Sequence, residues 1–355
     1  MQQTYAYGDP CAAAPVAGVD GSRVISFFIF NTDVHMHAYA ADGEDPDDPC
    51  VVARLDEALD ACRERCLFFE RTLSRTREDS DIARAHAAAP NPVAVAPETA
   101  ELTRLALTYC AHSRGAFDIT MGTVTSLWDF HVGVVPGSLA LSRALPHVGS
   151  DHVHVGTAQD GAPTLAIDDP QTIMDLGGVA KGYIADDLAR MFERHGVMRF
   201  VINLGGNVLV HGGRPADPAR GHRHEGDPWR IGVVNPFDPA HNRAIIDLSD
   251  GSVVTSGLHE RSFTKGGITY HHILDPATGM PAQTDVVSAT IVAARSIDCD
   301  GYSTTVLMLG AEAGLAFAER VPGIEAVIID RDDQVSWTSG IAGALSLVPT
   351  LPRWF

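Results

Sequence analysis

A chain of 355 residues with 45% hydrophobic and 20% charged side chains has the composition of an ordered globular protein, which excludes wholesale disorder. Its length equals roughly two average domains. With 26 Lys and Arg against 45 Asp and Glu the formal net charge is −19, so general binding to nucleic acid or to an anionic membrane surface is excluded, and an anionic small ligand would need a local cation or a metal.

Residues 1–22, rich in Ala, Gly and Pro, read as a flexible leader. They carry neither the basic start nor the apolar core of a signal peptide, and Cys11 follows Asp9-Pro10 rather than the apolar segment that precedes a lipid anchor. No run approaches the ~18 apolar residues of a membrane span. Six cysteines without a CxxC pair suit a reducing compartment, so the expectation is a cytoplasmic protein with no membrane anchor.

A strand is expected over 24–29, and the acidic stretch 41–49, broken by Gly and Pro, reads as a loop. Val52, Leu55, Leu59, Cys62, Cys66, Phe69 and Leu73 recur at steps of three and four, which predicts one long helix. Cys62 and Cys66 lie on that stripe and read as small buried hydrophobes rather than a metal or redox pair. Leu102, Leu105 and Tyr109 predict a second helix over 98–110, and the turn-rich stretch 131–172 reads as a hairpin insertion.

Strands expected at 173–176 and 200–204 flank a helix bearing Ile184, Leu188, Met191 and Phe192. A polar loop over 211–228 precedes expected strands at 230–234, 243–247, 252–256, 268–274 and 286–293. An Ala-rich helix at 311–320 and strands at 326–330 and 334–337 close the chain. Strands outnumber helices and do not alternate with them regularly. This predicts an α+β fold of mixed, largely antiparallel sheets with packed helices.

Five segments could carry chemistry. In MDLGGVAKGYIADDLARMF the chain leaves Asp175-Leu176, turns on Gly177-Gly178 and opens a helix at Lys181. Glycines allow a close backbone approach, and a helix start offers N–H groups and, here, a cation to an anion. The alternative is a tight turn with a surface lysine. NLGGNVLVHGG repeats the pattern of an apolar strand ending in paired glycines, either a second border of one cleft or a simple hairpin turn. In GITYHHILDPATGMPAQ, His271 and His272 point to opposite faces of a strand, so one of them should face any cleft, where a neutral imidazole could accept a proton. In SIDCDGYSTTVLMLG, Asp300, Ser303 and Thr304 share a helix face and form a hard-oxygen set suited to Mg²⁺. Helix capping by Asp298 or Asp300 is the competing reading. RGAFDITMGTVTSLWDF joins Phe117, Trp128 and Phe130 around Asp118 in a compact turn. The HxH pairs His35/His37, His152/His154 and His222/His224 lack a third ligand at zinc spacing and are not expected to bind metal.

Taken in order, FERTLSRTREDSDIARAH, GAFDITMGTVTSLW, MDLGGVAKGYIADDLA, INLGGNVLVHG, PWRIGVVNP, VVTSGLHERSF, HHILDPATGMP and DGYSTTVLMLG resemble the ApbE family, the FAD:protein FMN transferases, from about residue 24 to about 330. The resemblance implies one flavin transferase domain over 23–345, two intertwined subdomains around a cofactor cleft, and a tail at 346–355. It implies Mg²⁺-dependent transfer of FMN from FAD to a threonine hydroxyl of an acceptor protein carrying a flavinylation motif, with AMP leaving. The same site could serve an FAD pyrophosphatase, with water as nucleophile, or a non-catalytic FAD-binding protein. Position by position, the family's metal site falls on Asp300, Ser303, Thr304 and the backbone carbonyl of Gly178. Its FAD contacts fall on Ala116, Phe117, Asp118, Asp175 and Lys181 and near Leu274. His272 matches the histidine proposed in the family as the base, so His272 and Asp300 are the expected catalytic residues. Where the family has Met-Gly-Thr this chain has Phe30-Asn31-Thr32, and Thr76 stands where the family prefers an aromatic.

Overall fold

The computed structural model describes residues 10–216 and 226–349. Among them are the helices α1 (Pro49–Leu73), α2 (Asp81–Ala88), α3 (Pro97–Ser113), α4 (Gly122–Thr125), α5 (Ser138–Ala144), α6 (Ala180–Arg194), α7 (Ser296–Leu309) and α8 (Ala311–Ala318). None of the helices among the described residues is long and apolar enough to cross a membrane.

A nine-stranded sheet forms the centre. Its order is Val16–Ala17, Arg23–Ile29, Thr32–Ala38, Phe200–Leu204, Asn207–His211, Gly251–Gly257, Val286–Ala293, Ile324–Asp330 and Val335–Trp337. Every neighbouring pair runs antiparallel. The two faces divide the core by alternation along each strand. In Ile324–Asp330, Ile324, Ala326 and Ile328 face the helices. Val327 and Ile329 face a smaller sheet of Trp229–Val234, Asn242–Leu248 and Leu345–Leu347. The fold is thus α+β, with mixed helices and antiparallel sheets.

Helix α1 forms as its stripe demands. Asp48 caps it by accepting from Cys50 N at 2.7 Å, and Pro49 sits in the first turn, where an N–H has no helical partner anyway. Leu55, Leu59, Cys62, Cys66 and Phe69 are fully buried against the sheet and α6. Each such Leu or Phe contributes about 1.5–3 kcal/mol relative to exposure. Both cysteines are packing residues, as the periodicity predicts.

Some elements differ from the sequence reading. Residues 173–176 form no strand: Ile173 makes a single bridge to Met121, and Asp175 N bonds to Ile119 O at 2.6 Å. The segment is straightened by a neighbouring turn rather than by a ladder. The strand expected at 268–274 stops at His271, and Leu274 bridges to Pro281 alone. Thr32–Ala38, Asn207–His211, Ser262–Lys265 and α2 were not expected as elements of their own. The insertion at 131–172 does contain a hairpin, Val153–Thr157 with Pro163–Ile167.

Candidate active site

Two helix starts are locked together. Gly182, in the first turn of α6, donates its N–H to Asp300 Oδ2 on α7 at 2.6 Å. The helices touch backbone to backbone there: a Cβ on Gly182 would lie 2.4 Å from Ser296 O and 2.6 Å from Ile297 Cα. No side chain of its own caps α7. Asp186 of α6 takes that place, accepting from Ser296 N at 2.7 Å and Ile297 N at 3.1 Å. This corrects the capping alternative. Asp298 bonds instead to Arg295 and to the Tyr109 hydroxyl, and Asp300 is left to face the site.

Around this junction opens a cleft of about 1030 Å³. Its walls include Ala116, Phe117, Asp118, Asp175, Gly178, Lys181, His272, Leu274, Asp300, Ser303 and Thr304, so one space collects the site residues that the family resemblance implied. The two Gly-Gly turns, 177–178 and 205–206, border the same cleft. So do Phe30 and Asn31, the tip of a two-residue hairpin in which both have positive φ, 55° and 57°.

Asp300 is 5% exposed. Burial raises its carboxyl above the usual range, against the pull of the Lys181 ammonium, the Gly182 N–H and the Asn207 amide. Ser303 and Thr304 lie on the same face of α7, where Ser256 Oγ is 2.8 Å from the Ser303 hydroxyl and 3.5 Å from that of Thr304. Phe117 packs on Gly178, whose Cβ would meet the ring at 2.9 Å, so only glycine fits there without displacing it. Asp118 accepts from Thr120 N in its own turn at 2.7 Å and from the distant Ser150 N at 3.0 Å, which fixes its carboxylate at the cleft wall. Asp175 accepts from Gly177 N at 2.8 Å and faces Arg75 at 3.6 Å.

His272 stands on the cleft wall, whereas His271 is buried outside the lining. Burial, then the nearby Arg261 guanidinium, pushes the His272 imidazole down to about 4, which keeps it neutral near pH 7. Its Nδ1 is buried without a partner. Leu274 belongs to an apolar end wall with Trp128, Val124 and Leu141, and Trp128 Nε1 donates to Gly279 O at 3.1 Å. Phe130 stacks on Trp128 with ring centres 5.4 Å apart.

Among the described residues no group of three or more His, Cys, Asp or Glu is arranged to hold a metal. The oxygen set at Asp300 is of another kind, one buried carboxylate beside two hydroxyls. That fits Mg²⁺, which takes few protein ligands and completes its shell with water and substrate phosphate. The HxH pairs have other partners: His35 bonds to Ser26 at 2.9 Å, and His152 and His154 share Asp168, each at 2.7 Å. His222 and His224 lie outside the described residues.

The sequence reading missed Arg75, Asn207, Ser256, Glu260 and Arg261 as cleft residues. Ser256, Glu260 and Arg261 stand in VVTSGLHERSF, a string that carried the resemblance but drew no chemical reading.

A sequence profile of the ApbE family matches residues 30–328. The chain is 35% identical over 299 residues to the FAD:protein FMN transferase of Treponema pallidum (strain Nichols), covering 82% of this chain and 81% of that one. It is 32% identical to the FAD:protein FMN transferase of Klebsiella pneumoniae (strain 342), over 68% of each chain. The crystal structure of the ApbE protein of Thermotoga maritima superposes with a TM-score of 0.76 at 25% identity, covering 91% of this chain and 99% of that one. The Pseudomonas stutzeri flavinyl transferase ApbE in its apo form gives a TM-score of 0.73 at 25% identity, covering 91% and 97%. Fold, cleft and relatives together are those of an enzyme of the transferase class. The chain belongs to the ApbE family.

Proposed function

We propose that this enzyme transfers FMN from FAD to a threonine hydroxyl of an acceptor protein and requires Mg²⁺. The observation that carries the reading is the lock between α6 and α7, which sets the buried Asp300 carboxylate, the Lys181 ammonium and the turn at Gly178 around one cleft. In this reading Ala116, Phe117, Asp118, Asp175, Lys181 and Leu274 hold the dinucleotide. Lys181 and the amides of the α6 start face its diphosphate. Asp300, the Ser303 and Thr304 hydroxyls and the Gly178 carbonyl would hold Mg²⁺, which supplies charge neutralisation on the diphosphate.

The acceptor threonine Oγ attacks the phosphorus on the FMN side. A new P–O bond forms, the bond to the AMP oxygen breaks, and AMP leaves with that electron pair. The hydroxyl proton passes to the imidazole of His272 on the cleft wall, a reading that its neutral state near pH 7 supports. The apolar wall at Trp128 and Leu274 excludes water from the rings.

The test is incubation with FAD, Mg²⁺ and a partner carrying a motif of the form Asp-x-x-Ser/Thr-Gly-Ala-Thr, followed by mass spectrometry of the partner. A gain of one FMN that depends on the motif threonine supports the reading. AMP release at equal rate without acceptor points to a pyrophosphatase, and FAD binding with no AMP at all points to a non-catalytic flavin carrier. The proposal includes a cytoplasmic residence, which cell fractionation checks.

A further inference from the structure

Asn207 opens the strand Asn207–His211, is 1% exposed and lines the cleft. Its side-chain oxygen accepts from Ser296 Oγ at 2.8 Å. Ser296 Oγ is in turn 2.8 Å from Ser252 Oγ, which also lies 2.8 Å from Val208 O. The amide nitrogen, by contrast, is buried with no hydrogen-bond partner. Oxygen and nitrogen of an amide are told apart by their neighbours, and here the neighbour is decisive. The Nδ2 end faces the Asp300 side and draws that carboxyl down, but no acceptor meets it in hydrogen-bond geometry. The reverse orientation would set an amide oxygen against a carboxylate.

A buried amide donor without an acceptor is costly, and native interiors rarely leave one. In this cleft it stands beside Lys181 and Asp300. We infer that Asn207 Nδ2 donates to a phosphate oxygen of the bound dinucleotide, next to the metal-binding carboxylate, with Ser296 locking the amide in the donating orientation. An anionic oxygen is the acceptor that both the amide and the Lys181 ammonium attract. The assignment rests on the FAD reading above and adds to it a substrate-binding residue.

The experiment measures FAD affinity by fluorescence titration with Mg²⁺, and the displacement of FAD by inorganic pyrophosphate, for the wild type, Asn207→Asp and Asn207→Ala. Asn207→Asp keeps an acceptor for Ser296 but replaces the donor by a second acid facing Asp300, and Asn207→Ala removes the donor without adding charge. Both should weaken FAD binding about tenfold or more and raise the dissociation constant of pyrophosphate, taken from the displacement curve after correction for the FAD affinity of each variant, by a similar factor. In the ligand-free Asn207→Asp protein the second acid facing buried Asp300 should lower the melting temperature at neutral pH, so binding is measured well below it. FAD affinity within about twofold of wild type in Asn207→Ala overturns the assignment. So does weaker FAD binding with an unchanged dissociation constant for pyrophosphate, since the lost contact is then not to phosphate. A wild-type protein that binds no FAD overturns the flavin reading itself, and this assignment with it.

Discussion

The amide of Gly182 and the carboxylate of Asp300 are 2.6 Å apart, although they lie on different helices and 118 residues apart in the chain. The bond exists because Gly182 has no side chain. In Gly182→Ala the new methyl would lie 2.4 Å from Ser296 O and 2.6 Å from Ile297 Cα, both backbone atoms that cannot swing aside. The helices must part, and Asp300 loses its amide. Overpacking of this kind costs about 1–3 kcal/mol. Chemical denaturation should show a loss of that size in Gly182→Ala, with transferase activity falling further than stability. Unchanged stability would mean that the helices are not in contact as described.

Asp300 itself should separate stability from function. Its buried charge is disfavoured, so its raised carboxyl contributes stability only at low pH and loses it as pH rises and the group ionises. At neutral pH, Asp300→Asn keeps an oxygen for Gly182 N and removes the charge, so the unliganded variant should melt at or above the wild-type temperature. Removing the one carboxylate of the proposed Mg²⁺ site should lower kcat by more than about 10²-fold. A variant with full activity would end the metal assignment, and one that fails to fold would make Asp300 a structural residue instead.

What the sequence made legible was local. The stripe from Val52 to Leu73 marks α1 because its period is contained in one segment. The cleft residues announce themselves as glycines, acids and a histidine at the ends of apolar runs. Contacts between distant segments left no such trace. Asp186 caps a helix that begins 110 residues later, whereas local reasoning could consider only Asp298 and Asp300. Ile173–Leu176 look like a strand by composition, but their neighbours are a turn and a helix start. Thr32–Ala38 alternates Val34, Met36 and Ala38 inward, and its two histidines mask that pattern. Asn207 and Arg75 act through partners no spacing reveals.

The cap supplied by Asp186 has its own pH signature. Burial raises this half-buried carboxyl to about 6, against the Ser296 and Ile297 amides and the Arg190 and Arg295 guanidinium groups. Beside it stand Glu101, Tyr183, Glu193, His211 and Asp250, around a small second cavity. A raised acid favours the fold most when protonated, below its unfolded value, and loses that advantage as pH rises through about 6. Wild-type stability relative to Asp186→Asn should therefore decline between about pH 4 and 6 and be flat above. Urea denaturation across that range checks it, and a difference independent of pH would show that Asp186 titrates normally. Asp186→Ala, which removes both acceptors, should cost about 1–2 kcal/mol as other lost N-caps do.

The histidine on the cleft wall gives the last expectation. An ordinary imidazole with a pKa of about 6.5 is about 90% protonated at pH 5.5 and useless as a base. His272 is held down to about 4 by burial, so its neutral form persists as acid is added, and only near pH 4 does it take up a proton. If it accepts the threonine proton, kcat/KM should change by less than about twofold between pH 7.5 and 5.5. Glu260, which the same cleft raises above the usual carboxylate range, could add a limb of its own, so the profile should be repeated in Glu260→Gln. His272→Gln should lose most of its turnover at every pH while still binding FAD. A limb near pH 6.5 that survives Glu260→Gln would mean that this imidazole is solvated rather than enclosed, and a His272→Gln enzyme with normal turnover would move the role of base to another group on the wall.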